Sequence, residues 1–296
     1  MTPLRQRFID DMRLRNYAPA TIECYVQALA RLAKRFHRSP DLITVEEIRE
    51  FQLHLIQRGL SWSTFNQISC ALRFFYRVTL GQPETIPAVQ FGKRPQKLPC
   101  VLSPMEVLRF LEAAPAGRDR LMLQTTYACG LRVSELLNLN VTDIDSARMV
   151  VMVRQGKGRK DRLVPLSPRL LEELRAYWRR ARPKYLLFPA TNPGSNPRRP
   201  MHDSVVQKLC RQIVEQLKLT KTATPHTLRH SFATHMLEAG VDLLTLQNIL
   251  GRSDLQTTAR YLHIGTRRLQ QVPSLLDRLM LPTSSAVSSA AKEAQS

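Results

Sequence analysis

Through residues 1–81 apolar side chains recur at three- and four-residue spacing, and capping residues and glycines bracket the runs, a pattern that a chain satisfies as a set of packed helices. Thr21 reads as the cap of a helix that presents Ile22, Tyr25, Val26, Leu29 and Leu32 on one side. Thr44 with Glu47 fits a capping box, after which Ile48, Phe51, Leu55 and Ile56 continue the stripe as far as Gly59. Ser63 opens a further run through Phe65, Ile68, Leu72, Phe75 and Tyr76, and Gly81 stops it. The spacing predicts an all-helical domain over 1–81.

The pattern breaks over 82–101. Pro83, Pro87, Pro95 and Pro99 replace the periodic apolar residues, with Lys93, Arg94 and Lys97 between them. This predicts an extended basic linker, which either tracks a phosphate backbone or is simply solvated. Over 102–281 helical periodicity returns, opened by Ser103 with Glu106. Two short apolar runs, Arg148 to Arg154 and Leu163 to Leu166, flank Gly156-Lys157-Gly158 and read as two strands around a basic glycine turn. The expected fold is mainly α, with a small β-sheet confined to an α+β C-terminal domain. Residues 282–296 are mostly Ser, Ala and polar, and read as a disordered tail.

Charge narrows the partners. Lys and Arg total 44 against 24 Asp and Glu, a formal net charge of +20, which repels itself unless a polyanion neutralises it. Nucleic acid is the natural polyanion. No apolar run approaches the roughly 18 residues that span a bilayer, and Met1 to Arg15 carries charges where a signal peptide needs an apolar stretch. The five cysteines are scattered and form no C-x-x-C pair, so neither a disulfide framework nor a zinc site is expected, and the reducing cytosol is the expected compartment.

Three segments carry residues suited to a phosphate. Thr224 and Pro225 start a helix on which His226 and Arg229, three apart, share a face near the N-terminus, where backbone N–H groups and the dipole favour an anion. Gly130 permits a chain break that sets Arg132 at the start of a new helix, with Glu135 placed to orient its guanidinium. Asp242 caps a helix that closes at Leu250-Gly251, and Ser253 or Asp254 caps the next, which carries Arg260 and Tyr261. Taken singly, each has an ordinary reading: a surface arginine paired with glutamate, a structural histidine, a packing tyrosine.

Together the segments resemble the tyrosine recombinase (phage integrase) family. G-L-R-V-S-E-L at 130–136, G-K-G-x-K-D-R-L-V-P-L at 156–166, T-P-H-T-L-R-H-S-F-A-T-H at 224–235 and L-G-R-S-D-x-x-T-T-x-R-Y at 250–261 occur in the family's order with family-like spacing. The resemblance implies a helical core-binding domain over 1–81 and a catalytic domain over 102–281. It implies that Arg132 and Arg229 clamp a DNA phosphate, that Lys157 is the hairpin lysine, that His226 completes the H-x-x-R pair and that Tyr261 is the nucleophile. Lys93, Arg94, Lys97, Arg159 and Lys160 are expected DNA contacts. Relatives usually carry His or Trp where this chain has Arg252, which donates hydrogen bonds to a phosphate but, with a pKa above about 12, cannot serve as a proton carrier at neutral pH.

The implied reaction cleaves and rejoins double-stranded DNA through a 3′-phosphotyrosine, with no cofactor and no metal, in the integration, excision or transposition of a mobile element. The family's working unit implies a tetrameric synapse. Val272, Leu275, Leu276 and Leu279 form an apolar face in 267–281 that either docks on a neighbour or packs within the chain. The competing assignments are a type IB topoisomerase, a DNA-binding protein without catalysis and a helix-turn-helix regulator. The intact Arg-Lys-His-Arg-Tyr set disfavours the second, and the glycine-lysine turn the third.

Overall fold

The computed structural model describes residues 2–93, 99–154, 161–190, 196 and 198–251. The chain divides into two compact units, Met1–Lys97 and Leu98–Ser296. Among the described residues no helix is long and apolar enough to cross a membrane.

The first unit contains α1 (Pro3–Leu14), α2 (Pro19–Phe36), α3 (Val45–Gln57) and α4 (Trp62–Phe74), the last running on into a π-helical turn at Phe75–Thr79. Their inward faces bury Phe8, Met12, Leu32, Ile48, Phe51, Phe65, Leu72 and Phe75. Phe8 meets Phe74 and Phe75 edge-on, with centroids 5.8 and 5.5 Å away. The Thr44–Glu47 capping box is present at the start of α3. Two helix starts differ from the sequence reading. Helix α2 begins at Pro19, before Thr21, because the proline ring already holds a helical φ and takes the first position. Helix α4 is capped by Ser61 rather than Ser63, and the Ser61 hydroxyl accepts from the Thr64 N–H at 3.2 Å.

Much of the stretch read as an extended linker is folded into this unit. Pro83–Ala88 forms a 3-10 helix, and Val89 is fully buried. The Gln52 side chain pairs with both backbone groups of Gln90, donating to its carbonyl and accepting from its N–H, each at 3.0 Å. Asn66 treats Gly92 the same way, at 2.9 and 2.8 Å. Two amide side chains thus imitate a neighbouring β-strand. Proline content signals the absence of a regular helix here, but it does not show that a buried and a half-buried amide hold the chain down.

The second unit contains α5 (Pro104–Ala113), α6 (Arg118–Cys129), α7 (Val133–Leu137), β1 (Ile144–Asp145), β2 (Val150–Val153), β3 (Arg162–Pro165), α8 (Pro168–Ala181), α9 (Asp203–Gln216), α10 (Pro225–Glu238) and α11 (Leu243–Leu250). The expected mainly helical fold with a small sheet is what forms. The sheet has three antiparallel strands in the order β1-β2-β3, with Val151 opposite Val164 and Val153 opposite Arg162. The short β1 is one strand more than the sequence reading held. Val151, Val153 and Val164 point into a core shared with Phe110, Met122, Leu136, Leu174, Phe188 and Leu228. The N-terminal end of this unit is fastened where the Leu102 N–H donates to Ser231 Oγ of α10 at 2.9 Å.

Candidate active site

The site begins at a reversal of the chain. Helix α6 ends at Gly130, which lies in the left-handed region at φ +60°. A Cβ there would sit 2.4 Å from Phe232 of α10, so only glycine admits both the turn and the neighbouring ring. The reversal leaves Arg132 extended as the cap of α7. Glu135, one turn on, reaches back to the Arg132 backbone N–H at 2.8 Å and to its guanidinium Nη1 at 2.5 Å.

Two further guanidiniums reach Glu135 from elsewhere in the fold. Arg162 projects inward from β3 on the same face as Val164 and donates from Nη1 and Nη2 to the two carboxylate oxygens at 2.9 and 2.7 Å. Arg229 of α10, with 1% of its surface exposed, approaches at 3.5 Å and donates to the Gly130 carbonyl at 2.6 Å. Burial opposes ionisation of Glu135 more strongly than any other single influence. The hydrogen bonds from Arg162 and the Arg132 backbone, with the charges of Arg162 and Arg132, together outweigh it and pull the carboxyl down to about 2. At neutral pH three cations therefore surround one anion, and the cluster keeps a positive excess.

The same arginines grip the end of α11. Its last carbonyls, which have no partner within the helix, accept in order: Ile249 from Arg162 Nε at 2.6 Å, Leu250 from Arg229 Nη2 at 2.6 Å and Gly251 from Arg132 Nη2 at 3.4 Å.

His226 stands at the start of α10, where Thr224 caps the helix and Pro225 takes the first position. Its ring is exposed and meets that of His230 edge-on, with centroids 4.4 Å apart. His226 and Arg132 line one open cleft of about 600 Å³ together with Ser134, Arg211 and Thr224. Arg154, the last described residue before Gly156, is anchored to buried Asp143 at 2.6 Å.

Of the residues that the sequence singles out, Arg132 shares the cleft with His226 and the Glu135 carboxylate with Arg229. Lys93 is exposed at the end of the first unit's described stretch. Lys157, Arg159, Lys160, Arg252, Tyr261, Arg94, Lys97 and segment 267–281 lie outside the described residues. Sequence reasoning passed over Arg162, although strand alternation offers a signal for it: an arginine two residues before Val164 falls on the apolar face and needs a buried partner. Among the described residues no group of three His, Cys, Asp or Glu side chains is disposed to hold a metal ion.

Comparison with known proteins matches both units. The family described as "Phage integrase family" matches residues 101–268, and "Phage integrase, N-terminal SAM-like domain" matches residues 4–86. The Sinorhizobium fredii protein y4qK is 45% identical over 285 residues, covering 95% of this chain and 91% of the relative. Tyrosine recombinase XerA of Thermococcus kodakarensis is 35% identical over 284 residues, covering 93% and 96%. Among solved structures, the XerH site-specific recombinase bound to palindromic difH substrate in a post-cleavage complex shares the fold, with a TM-score of 0.68 at 24% identity over 90% of this chain and 83% of that one.

Proposed function

The chain belongs to the phage integrase family and is a tyrosine-type site-specific recombinase, and from that premise we propose that Tyr261 is its nucleophile and that Arg132, Arg229, His226, Lys157 and Arg252 serve the phosphate it attacks. The Tyr261 oxygen forms a bond to phosphorus while the bond to the 5′-oxygen breaks. A phenol titrates near 10, so it needs a proton acceptor at neutral pH, and His226 takes that role. Lys157 returns a proton to the departing 5′-oxygen. Arg132 and Arg229 offset the charge that accumulates on the phosphoryl oxygens, and Arg252 donates to the same oxygens. The product is a 3′-phosphotyrosine and a free 5′-hydroxyl. Attack by a hydroxyl of another strand reverses the step, and the ester conserves the energy of the broken bond.

The observation that carries this reading is the pairing of Arg132 and Arg229 through Glu135, with Arg132 and His226 lining one cleft. A phosphodiester entering the cleft meets preorganised cations and the N-terminus of α10. The neighbour XerH is described as bound to its substrate after cleavage. By analogy we assign this chain a duplex DNA partner, a four-protomer synapse in which segment 267–281 docks on a neighbour, and work on a mobile element in the cytoplasm at the nucleoid. Lys93, Arg94, Lys97, Arg159 and Lys160 add phosphate contacts, so affinity falls steeply with salt.

The test is a nicked duplex, on which cleavage releases a short strand and traps the covalent species. The wild-type protein is expected to accumulate a DNA adduct on a denaturing gel, and Tyr261→Phe to bind the same DNA without any. An adduct with Tyr261→Phe would refute the assignment.

A further inference from the structure

We infer that Arg162 is a positioning residue for strand cleavage, acting through the Glu135 carboxylate and the last turn of α11 rather than on DNA. The inference rests on the proposed chemistry of Arg132, Arg229 and Tyr261.

Arg162 makes three directed bonds from one planar group: two to Glu135, at 2.9 and 2.7 Å, and one to the Ile249 carbonyl, at 2.6 Å. Its side chain is 8% exposed, so these bonds are made away from water. The fork ties together β3, α7 and α11, three elements far apart in sequence. Helix α11 then ends at Gly251, at φ +57°, where an added Cβ would lie 3.0 Å from Arg162 Cδ. The arginine lies so close to the helix end that a side chain at position 251 would crowd it. One peptide bond beyond Gly251 the chain reaches Arg252, and the segment that carries Tyr261 follows.

The charges give Arg162 a second effect on the same group. Among the cations it contributes the largest share of the pull that keeps Glu135 ionised. By engaging both carboxylate oxygens it leaves Glu135 less able to draw the Arg132 guanidinium out of the cleft. Lysine cannot reproduce this, because a point charge on a flexible stem has no fork with which to meet Glu135 and Ile249 together.

The experiment measures two quantities on a nicked duplex: the dissociation constant, and the rate of adduct formation with DNA saturated by protein. For Arg162→Gln we expect affinity within about threefold of wild type, because many phosphate contacts share it, and a cleavage rate lower by about 100-fold, as expected for reacting groups displaced by around an ångström. Arg162→Lys is expected to stay close to Arg162→Gln. The double variant Glu135→Gln with Arg162→Met removes the carboxylate together with its forked partner, leaves an amide oxygen to accept from buried Arg229, and covers the case in which the single variant does not fold; it too is expected to bind and to cleave slowly. Wild-type cleavage by Arg162→Gln or by the double variant would overturn the inference, as would full rescue by lysine, which needs only charge. A loss of affinity equal to the loss of rate would also overturn it. A wild-type protein that forms no adduct would instead remove the proposed chemistry, and this inference with it.

Discussion

Among the described residues, both units bury neutral polar groups, but only the second buries charged ones fully. In the first, the fully buried polar side chains among the described residues, such as Gln52 and Ser69, are neutral, and with half-buried Asn66 and Arg73 they satisfy a passing backbone. In the second, Glu135 and Arg229 are buried charges, with Arg162 almost as deep. A neutral amide matched to a backbone N–H and carbonyl loses little on leaving water. An ion pair in the interior loses much more, and an apolar replacement of similar size often holds a fold as well. A scaffold has no need of such a cluster; a surface that must present positive charge to phosphate, in fixed geometry, has. The contrast accords with the proposed phosphate site lying in the second unit.

The sharpest way to break the contrast is to remove its central anion. Glu135→Ala leaves Arg162 and Arg229 buried without a counter-charge, and we expect the second unit to lose about 3–5 kcal/mol in urea unfolding. Loss below about 1 kcal/mol, the level of an exposed pair, would mean that the cluster is solvated and the contrast false. The wild-type carboxyl titrates far below its ordinary 4.5, at about 2. Its contribution is therefore complete above pH 4.5 and drains away as the pH falls toward 2, so the second unit should lose stability over that window and Glu135→Gln should be flatter there.

A smaller effect is expected from the neutral side. Gln52→Ala strips Gln90 of two hydrogen bonds at once and should destabilise the first unit by about 1–3 kcal/mol, with faster hydrogen exchange at the Gln90 amide and no dependence on pH between 3 and 5. A pH-dependent loss would show that charge matters in this unit as well. The smallest is Thr44→Ala, which removes the cap of α3 and should lower stability by about 1 kcal/mol.

What was legible in the sequence follows the same division. Thr44 with Glu47, Ser103 with Glu106, Thr224 with Pro225, and Asp242 all mark helix starts because a cap is a contact within three residues. Thr21 and Ser63 misled because Pro19 and Ser61, two positions earlier, meet the same local demand. Contacts between distant segments were out of reach. Nothing near Gln90 announces Gln52, and nothing near Arg162 announces Ile249. The H-x-x-R pair was legible as a motif, but its depth was not: His226 is exposed at the cleft, whereas Arg229, one turn away, is buried and fastened to Gly130 and Leu250.

The central claim is that the charged cluster serves a phosphate esterified to a tyrosine of this chain. The most direct measurement is mass mapping of peptides from the species trapped on nicked DNA. The account predicts a nucleotide joined through its 3′-phosphate to Tyr261, with a 5′-hydroxyl on the released strand. Attachment at another residue, or through a 5′-phosphate, would contradict it.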